Sequence, residues 1–472
     1  MKRIFSEMKN LRYALLAIAA TALLLGGCGG GGGSSYDEPT TVTNPAIPGV
    51  ATNVLIEPET LKSWMDAGKV NAADSFDGKV VILDYASDNT AMHIPGALKV
   101  HSTELTASRL EGLAVSGSMV ATGAMMDAVI ERLGIDQNTT IVITTAGGTN
   151  MYQATRAYFV FRYWGFPKAK LKVLDGGNQA WDAHVAAQGW GAGYALTDVL
   201  TGNPTPSTFS VRNLGTLCDD LRYSIGEMIT EVYPALQDGT MLHLDALGEA
   251  HATATAKNFT TSLNQAGKWV VFEGRIRNSK PLAQGSLYNA NNNYRFKTPE
   301  AIRALFEDQN VGWRQGLPTV TACRAGISCT TLFFALDAIL DSPAYVYDGS
   351  WGQWGLYSTL NTSTNGKIPT TLTGERSKWA VDQFTISGPM NSPVPGPVYN
   401  VGFVKTVNNA DYTLSLTDIE SVTINTSVLY NTNGPADPAA NQIENEDREY
   451  IETPPAGSGA TGPVSGGAGG GC

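Results

Sequence analysis

Residues 323–328, with the sequence Cys-Arg-Ala-Gly-Ile-Ser, are the part of this chain best suited to carry out chemistry. A cysteine thiolate is a strong nucleophile, and the successive backbone N–H groups of a tight loop can hold an anion or negatively charged sulfur. Arg324 adds a fixed positive charge beside the thiol. This pattern predicts a reactive Cys323 in an anion-binding loop, which we call the cradle loop.

The flanking sequence indicates which elements hold the cradle loop. Residues 317–322 are mostly apolar, as in a buried strand, and residues 330–340 have the composition of a helix. At such a turn, backbone N–H groups and the positive end of the helix dipole lower the pKa of a thiol. We therefore expect Cys323 to lie between a strand and a helix, where it is readily ionised.

The remaining loop residues are expected to bind the substrate. Gly326 permits the tight turn. Ser328 either donates a hydrogen bond to the sulfur or caps the helix. The predicted substrate-binding residues of the loop are Arg324, Ala325, Gly326, Ile327 and Ser328.

Residues 1–27 are interpreted as a lipoprotein signal peptide. Four basic residues precede an apolar stretch at 13–25, which is shorter than the roughly 20 residues that span a bilayer. The sequence Leu-Gly-Gly-Cys at 25–28 resembles a bacterial lipoprotein cleavage site with Cys28 as the lipidated residue. A plain secretory signal and an uncleaved anchor are the alternatives. We expect an exported protein, lipid-anchored to the cell envelope and most simply to the outer membrane, facing the periplasm or the exterior.

Composition sets further limits. A chain of 472 residues is expected to form two or three domains, and 43% hydrophobic residues suffice for sizeable cores. The net charge of −11 argues against nucleic-acid binding, which requires a basic surface. The five cysteines include no C-x-x-C pair, so no metal site is expected and no metal or organic cofactor is implied.

Cys329 is interpreted as a small buried helix residue pointing away from the cradle loop, with a resolving cysteine as the alternative.

Two segments of the chain follow the same order of strands and helices, which indicates an internal duplication. Strands that alternate with helices predict parallel α/β sheets, one in each segment. The matched strands are 80–84 with 241–245 and 141–144 with 319–321. The expected helices are 119–133, 153–165 and a third that begins after the Thr298 cap and runs to at least Phe306.

Residues 51–385 resemble a tandem-domain rhodanese, a thiosulfate sulfurtransferase. The features that carry this resemblance are His-Ile-Pro-Gly-Ala at 93–97, Leu-Asp-Gly-Gly at 174–177, the cradle loop, and Asp-Gly-Ser-Trp at 348–351. The resemblance implies two α/β domains, of which the first is catalytically silent because its turn at 144–148 lacks a cysteine. The predicted segments are a signal peptide at 1–27, a flexible tether at 28–50, an inactive domain at 51–195, a linker at 196–230, a catalytic domain at 231–385, and an extension at 386–472 with a disordered Gly-rich tail.

The resemblance also implies an activity. Sulfane sulfur passes from thiosulfate or a similar donor to cyanide or a thiol acceptor through a persulfide on Cys323. A basic residue at Arg324 suits thiosulfate, since relatives that act on mercaptopyruvate tend to carry Gly-Ser there. Arg275 is a second candidate for binding the donor sulfonate, with an ion pair as the alternative. Asp245 is expected to support the loop structurally.

The sequence also bears on two other functions. Dual-specificity phosphatases of the cell-division-cycle type share the fold but carry an arginine six residues after the cysteine, where this chain has Cys329. A phosphatase is therefore disfavoured. The second alternative is a non-enzymatic subunit that handles sulfur or another chalcogen in an outer-membrane assembly, favoured by the tether and by the extension. The extension becomes acidic and disordered in composition after about Tyr430.

Overall fold

The computed structural model contains two five-stranded parallel sheets flanked by helices, which confirms the predicted α/β class with one sheet in each segment. Among the described residues, no helix is long and apolar enough to cross a membrane. The structure describes residues 53–73, 78–86, 92–111, 114–247, 275–276, 278–359, 381–382, 403–407, 410–414, 428–430 and 441–453.

The first sheet forms around two strands of β-branched and aliphatic residues, which are buried on both faces as expected for parallel strands covered by helices. Thr122 caps the second helix of this domain by accepting a hydrogen bond from the Met125 N–H. In spatial order the strands are Leu55–Ile56, Leu171–Leu174, Thr140–Thr144, Val80–Ala86 and Leu98–His101. The helices are Pro58–Asp66, Gly123–Arg132, Met151–Tyr163 and Gly177–Gln188.

The second sheet places the strand before Cys323 at its centre. Thr319–Ala322 pairs with Leu242–Asp245 on one side and Ala344–Tyr347 on the other. Lys280–Pro281 and Arg222–Tyr223 form the two edges, the latter within the range predicted as linker. The helices are Ile225–Glu227, Tyr233–Asp238, Pro299–Glu307, Thr330–Phe334 and Ser350–Thr359, with π-helical turns at Met228–Val232 and Ala335–Ile339.

Several smaller elements lie outside the two five-stranded sheets, among them a short helix at Val211–Leu214. Thr106–Glu111, Ala114–Val120 and Val428–Tyr430 form an antiparallel sheet, and a helix, Gln442–Glu452, packs beside it. We call Gln442–Glu452 the C-terminal helix. The two-stranded sheets pair Arg275–Ile276 with Val381–Asp382, Tyr288–Asn289 with Arg295–Phe296, and Phe403–Val407 with Ala410–Leu414.

Two expectations from the sequence are wrong. The helix predicted at 119–133 begins at Gly123, because Met119 and Val120 end a strand that pairs with Ala107 and Thr106. Helical periodicity does not show such pairing between strands. The acidic region after Tyr430 contains the C-terminal helix, in which Ile443 is fully buried. Its buried acidic residues pair with arginines elsewhere in the chain. Composition does not show these partners, so the acidic residues look like those of a disordered segment.

One helix of the first domain packs directly against the helix that follows Cys323. We call this helix, Met151–Tyr163, the bridging helix. Tyr158 and Phe334 meet edge to face at 5.0 Å between ring centroids, and Phe159 and Phe333 do so at 5.3 Å. Such aromatic pairs add to the stabilisation from buried area. The first domain is therefore continuous with the core under the cradle loop.

Candidate active site

The cradle loop begins where the central strand of the second sheet ends. Cys323 is buried there, only 4% exposed. Gly326 has a φ of +74°, and a Cβ at this position would lie 2.3 Å from the Asp348 carbonyl oxygen. Because both the backbone conformation and the close approach exclude a side chain, glycine is required here.

The surroundings of Cys323 favour its thiolate. Burial by itself raises the pKa of this thiol. Hydrogen bonds from the Cys329 and Ser328 side chains and from the Cys329 and Ala325 backbone N–H groups outweigh burial and lower the pKa well below its ordinary value. These surroundings therefore favour the thiolate, the form in which cysteine acts as a nucleophile.

Cys329 does not point away from the cradle loop, so that expectation is wrong. Its thiol is fully buried and hydrogen-bonds to Cys323. Cys329 has right-handed helical backbone angles, φ −65° and ψ −21°, and the curled loop before it brings its side chain back onto the sulfur. Burial and the neighbouring thiolate both raise the pKa of Cys329 well above its usual range, so this cysteine remains a protonated donor.

The turn of the Asp-Gly-Ser-Trp motif fastens the start of the cradle loop. The Ser350 Oγ accepts a hydrogen bond from the Cys323 N–H at 3.1 Å, and the Trp351 N–H donates to the Cys323 carbonyl at 3.0 Å. Ser350 has a φ of +52°, an uncommon value for a residue other than glycine. The backbone of Cys323 is thus held on both its polar groups while its sulfur faces the loop.

Arg156 fastens the middle of the cradle loop from the bridging helix. Its Nη1 donates to the Gly326 carbonyl at 2.8 Å and to Asp348 Oδ1 at 2.7 Å, while its Nη2 donates to the Ser118 carbonyl at 2.8 Å. Arg156 and Asp348 are both fully buried. The domain without a cysteine therefore contributes directly to the shape of the site. The sequence signal that could have indicated this role is a charged residue within the mostly apolar run of the bridging helix.

A second layer of charges supports Asp348 from behind. Its Oδ2 accepts hydrogen bonds from the Val120 N–H at 2.8 Å and from Arg222 Nε at 3.4 Å. Arg222 also pairs with Glu111 at 2.9 Å and with Glu444 of the C-terminal helix. All these side chains are buried, so this network links the extension to the loop through paired charges.

Other predicted site residues lie around the loop. Arg324 is half-buried next to the nucleophile, and its carbonyl accepts a hydrogen bond from the Gly352 N–H at 2.8 Å. The Ile327 carbonyl accepts from the Thr330 N–H at 3.1 Å and thereby closes the loop onto the helix. Asp245 Oδ1 accepts from the Leu247 N–H at 2.9 Å, within the adjacent turn. These contacts give Ile327 a backbone role and Asp245 a structural one.

The structure does not describe every predicted residue. The backbone of Arg275 lies in a short strand, whereas its side chain is outside the described part. Cys28 and Cys472 also lie outside the described residues. Cys218 is buried and disulfide-bonded, so its sulfur has no free thiol chemistry. Within the described ranges, no group of three His, Cys, Asp or Glu side chains could hold a metal ion.

The chain is similar to several known proteins. A family model described as a Rhodanese-like domain matches residues 57–184. The chain is 23% identical over 254 residues to thiosulfate/3-mercaptopyruvate sulfurtransferase 1 of Arabidopsis thaliana, covering 51% of this chain but only 61% of that protein, less than two thirds. It is 23% identical over 264 residues to the thiosulfate sulfurtransferase of Rattus norvegicus, covering 56% of this chain and 77% of that one. Among solved structures, the Tum1 protein of Saccharomyces cerevisiae aligns with a TM-score of 0.49 at 18% identity, over 65% of this chain and 95% of that one.

Proposed function

Because this chain belongs to the rhodanese family, we propose that it moves sulfane sulfur from thiosulfate or a similar donor to cyanide or a thiol through a persulfide on Cys323. The observation that carries the proposal is the Cys323 thiolate, which receives hydrogen bonds from two side chains and two backbone N–H groups. A structural cysteine has no need of four donors on its sulfur. The arrangement suits a sulfur that is negatively charged both before and after it accepts a second sulfur atom.

The reaction divides into two displacements. The Cys323 thiolate attacks the outer sulfur of thiosulfate, the S–S bond of the donor breaks, and sulfite leaves with the bonding electron pair. The negative charge then lies on the outer sulfur of the persulfide, close to the N–H groups of the loop. Cyanide attacks this outer sulfur, forms thiocyanate, and returns the Cys323 thiolate. Such a covalent intermediate predicts ping-pong kinetics.

Thiosulfate is the donor favoured by charge. Arg324 follows the nucleophile directly and supplies a fixed cation, which attracts an anion with two negative charges. Loss of a hydrogen bond to a charged group costs about 1.5–3 kcal/mol, so Arg324→Ala is expected to lower kcat/KM for thiosulfate by about ten- to a hundredfold. An equal loss with thiosulfate and with an uncharged sulfane donor would contradict this role of Arg324.

The decisive experiment is a thiosulfate:cyanide assay with excess cyanide. The wild-type protein is expected to form thiocyanate, and Cys323→Ser to form none while its circular dichroism spectrum remains native. Mass spectrometry after thiosulfate alone, with no acceptor added, is expected to find one added sulfur on Cys323 of Cys329→Ser, which has no second thiol beside the persulfide. Full turnover by Cys323→Ser would overturn the mechanism. No turnover by the wild-type protein with any sulfane donor would overturn the enzymatic proposal in favour of a sulfur-handling subunit.

We also propose that the protein is exported and anchored through a lipidated Cys28. The support is the basic, apolar and small-residue pattern of residues 1–28. Expression of the full chain in a bacterium is expected to place it in the membrane fraction. Cys28→Ser is expected to abolish lipid labelling, and lipid labelling of that variant at the wild-type level would contradict the assignment.

A further inference from the structure

The cradle loop holds two thiols where the proposed reaction uses one. Cys323 and Cys329 are both free and both buried, and their side chains are hydrogen-bonded to each other. A hydroxyl, as at Ser328, would have sufficed as a second donor. A thiol in contact with the nucleophilic sulfur adds a reaction that a hydroxyl cannot perform, since it can itself form a bond to sulfur.

The two cysteines also differ in their exposure to solvent. Cys323 retains 4% exposure, whereas Cys329 is 0% exposed. A dissolved donor therefore reaches Cys323 and not Cys329, and the new sulfur atom is added to Cys323. Cys329 is hydrogen-bonded to the same sulfur, so a thiol that the donor does not reach lies beside the persulfide.

We propose that Cys329 is an internal acceptor that turns the Cys323 persulfide into a Cys323–Cys329 disulfide and releases hydrosulfide. The proposal rests on the persulfide of the proposed function. The anionic outer sulfur of the persulfide first takes the proton of Cys329, which leaves Cys329 as the thiolate. This thiolate forms a bond to the Cys323 sulfur, the bond from Cys323 to the outer sulfur breaks, and the outer sulfur departs with the bonding electrons as HS⁻. The two cysteines are oxidised and the outer sulfur is reduced. An external dithiol reductant then regenerates both thiols.

The protonation state of Cys329 fits this step. Without a proton, the outer sulfur would have to leave the buried site with two negative charges, which a low-dielectric interior strongly disfavours. Burial and the adjacent anion raise the pKa of Cys329, so its proton is still present for transfer to the outer sulfur when the persulfide forms. The step brings two side chains that are already hydrogen-bonded to each other to the length of a disulfide bond, about 2.0 Å.

The test compares the wild-type protein with Cys329→Ser, which keeps a hydrogen-bond donor but has no sulfur. Each protein is reduced, freed of reductant, and given thiosulfate under argon with no acceptor. The wild-type protein is expected to release about one hydrosulfide per chain and to end two hydrogens lighter, with a Cys323–Cys329 cross-link in its peptide map. Cys329→Ser is expected to retain one added sulfur atom and to release at most about a tenth as much hydrosulfide.

The outcomes separate this proposal from the preceding one. If both proteins retain the added sulfur and neither releases hydrosulfide, Cys329 is not an acceptor, while the persulfide mechanism stands. If the wild-type protein and Cys329→Ser both fail to take up sulfur, the persulfide mechanism fails and this inference fails with it. Cys329→Ala replaces the serine variant if the hydroxyl prevents folding, and its expected end state is the same retained persulfide.

Discussion

Arg156 offers the sharpest test of how the cysteine-free domain serves the site. The substitution Arg156→Met keeps much of the side-chain length but removes the guanidinium. It breaks the hydrogen bonds to Gly326, Asp348 and Ser118 at once. The middle of the cradle loop then loses its contact with the bridging helix, although the nucleophile itself is untouched.

The magnitude follows from what each partner keeps. Three hydrogen bonds with a charged donor contribute about 1.5–3 kcal/mol each, whereas breaking a buried ion pair costs about 3–5 kcal/mol in total. Asp348 keeps two partners, the Val120 N–H and Arg222, so the low end applies. We expect Arg156→Met to lower the free energy of unfolding by about 3 kcal/mol. Because the loop loses its anchor, kcat/KM is expected to fall by about tenfold or more.

Urea unfolding measures the first effect and thiosulfate:cyanide turnover of the folded protein measures the second. Arg162→Met is the matched control, because Arg162 is a buried arginine of the same helix that pairs with Asp337 at 3.7 Å, away from the loop. It is expected to lose stability but to retain turnover. Arg156→Lys is expected to recover part of both losses. Full turnover by folded Arg156→Met, or a stability loss below about 1 kcal/mol, would refute the reasoning.

Three further predictions concern single residues. Gly326→Ala is expected to abolish turnover by displacing the loop from Asp348, and a crystal structure with an unmoved loop would contradict this. Burial lowers the pKa of His243 to about 3, so between the ordinary value near 6.5 and pH 3 the unfolded chain binds a proton that the folded chain does not. Stability is therefore lost as the pH falls through this window, by up to about 5 kcal/mol, and His243→Leu, assayed by urea unfolding at several pH values, is expected to remove that loss. The pH at which alkylation of Cys323 by iodoacetamide reaches half its maximal rate is expected to lie below that of an ordinary cysteine and to shift upwards in Cys329→Ala, because the lowered pKa rests partly on Cys329. A wild-type pH profile like that of a free cysteine, or no shift in Cys329→Ala, would count against a stabilised thiolate.

The C-terminal helix shows how far distant residues determine the surroundings of the site. Its Glu444 reaches Arg222, which in turn contacts Asp348 beneath the loop. A buried charge that loses its partner is costly, so each member of this network depends on the others. The extension therefore contributes to the charge balance under the nucleophile, although it lies outside the part of the chain that resembles a rhodanese.

Local sequence determined much of this protein. Short apolar runs predicted the strands Val80–Ala86 and Thr319–Ala322, and a capping threonine followed by proline predicted the helix after Thr298. These signals come from residues that are neighbours in the chain. The cradle loop was also predictable, since a cysteine and a glycine between an apolar strand and a helix indicate a tight turn with a reactive thiol.

Only the tertiary structure decided how the cradle loop is held and what its sulfur touches. Arg156 is 170 residues away in sequence from the Gly326 carbonyl it binds, and the partners of Arg222 lie on three other elements. Cys329 was assigned the wrong direction because helical periodicity does not describe the curled turn before a helix. Buried polar groups must find hydrogen-bond partners, and here the partners come from segments far apart in the sequence. Such pairing leaves no periodic pattern in the sequence.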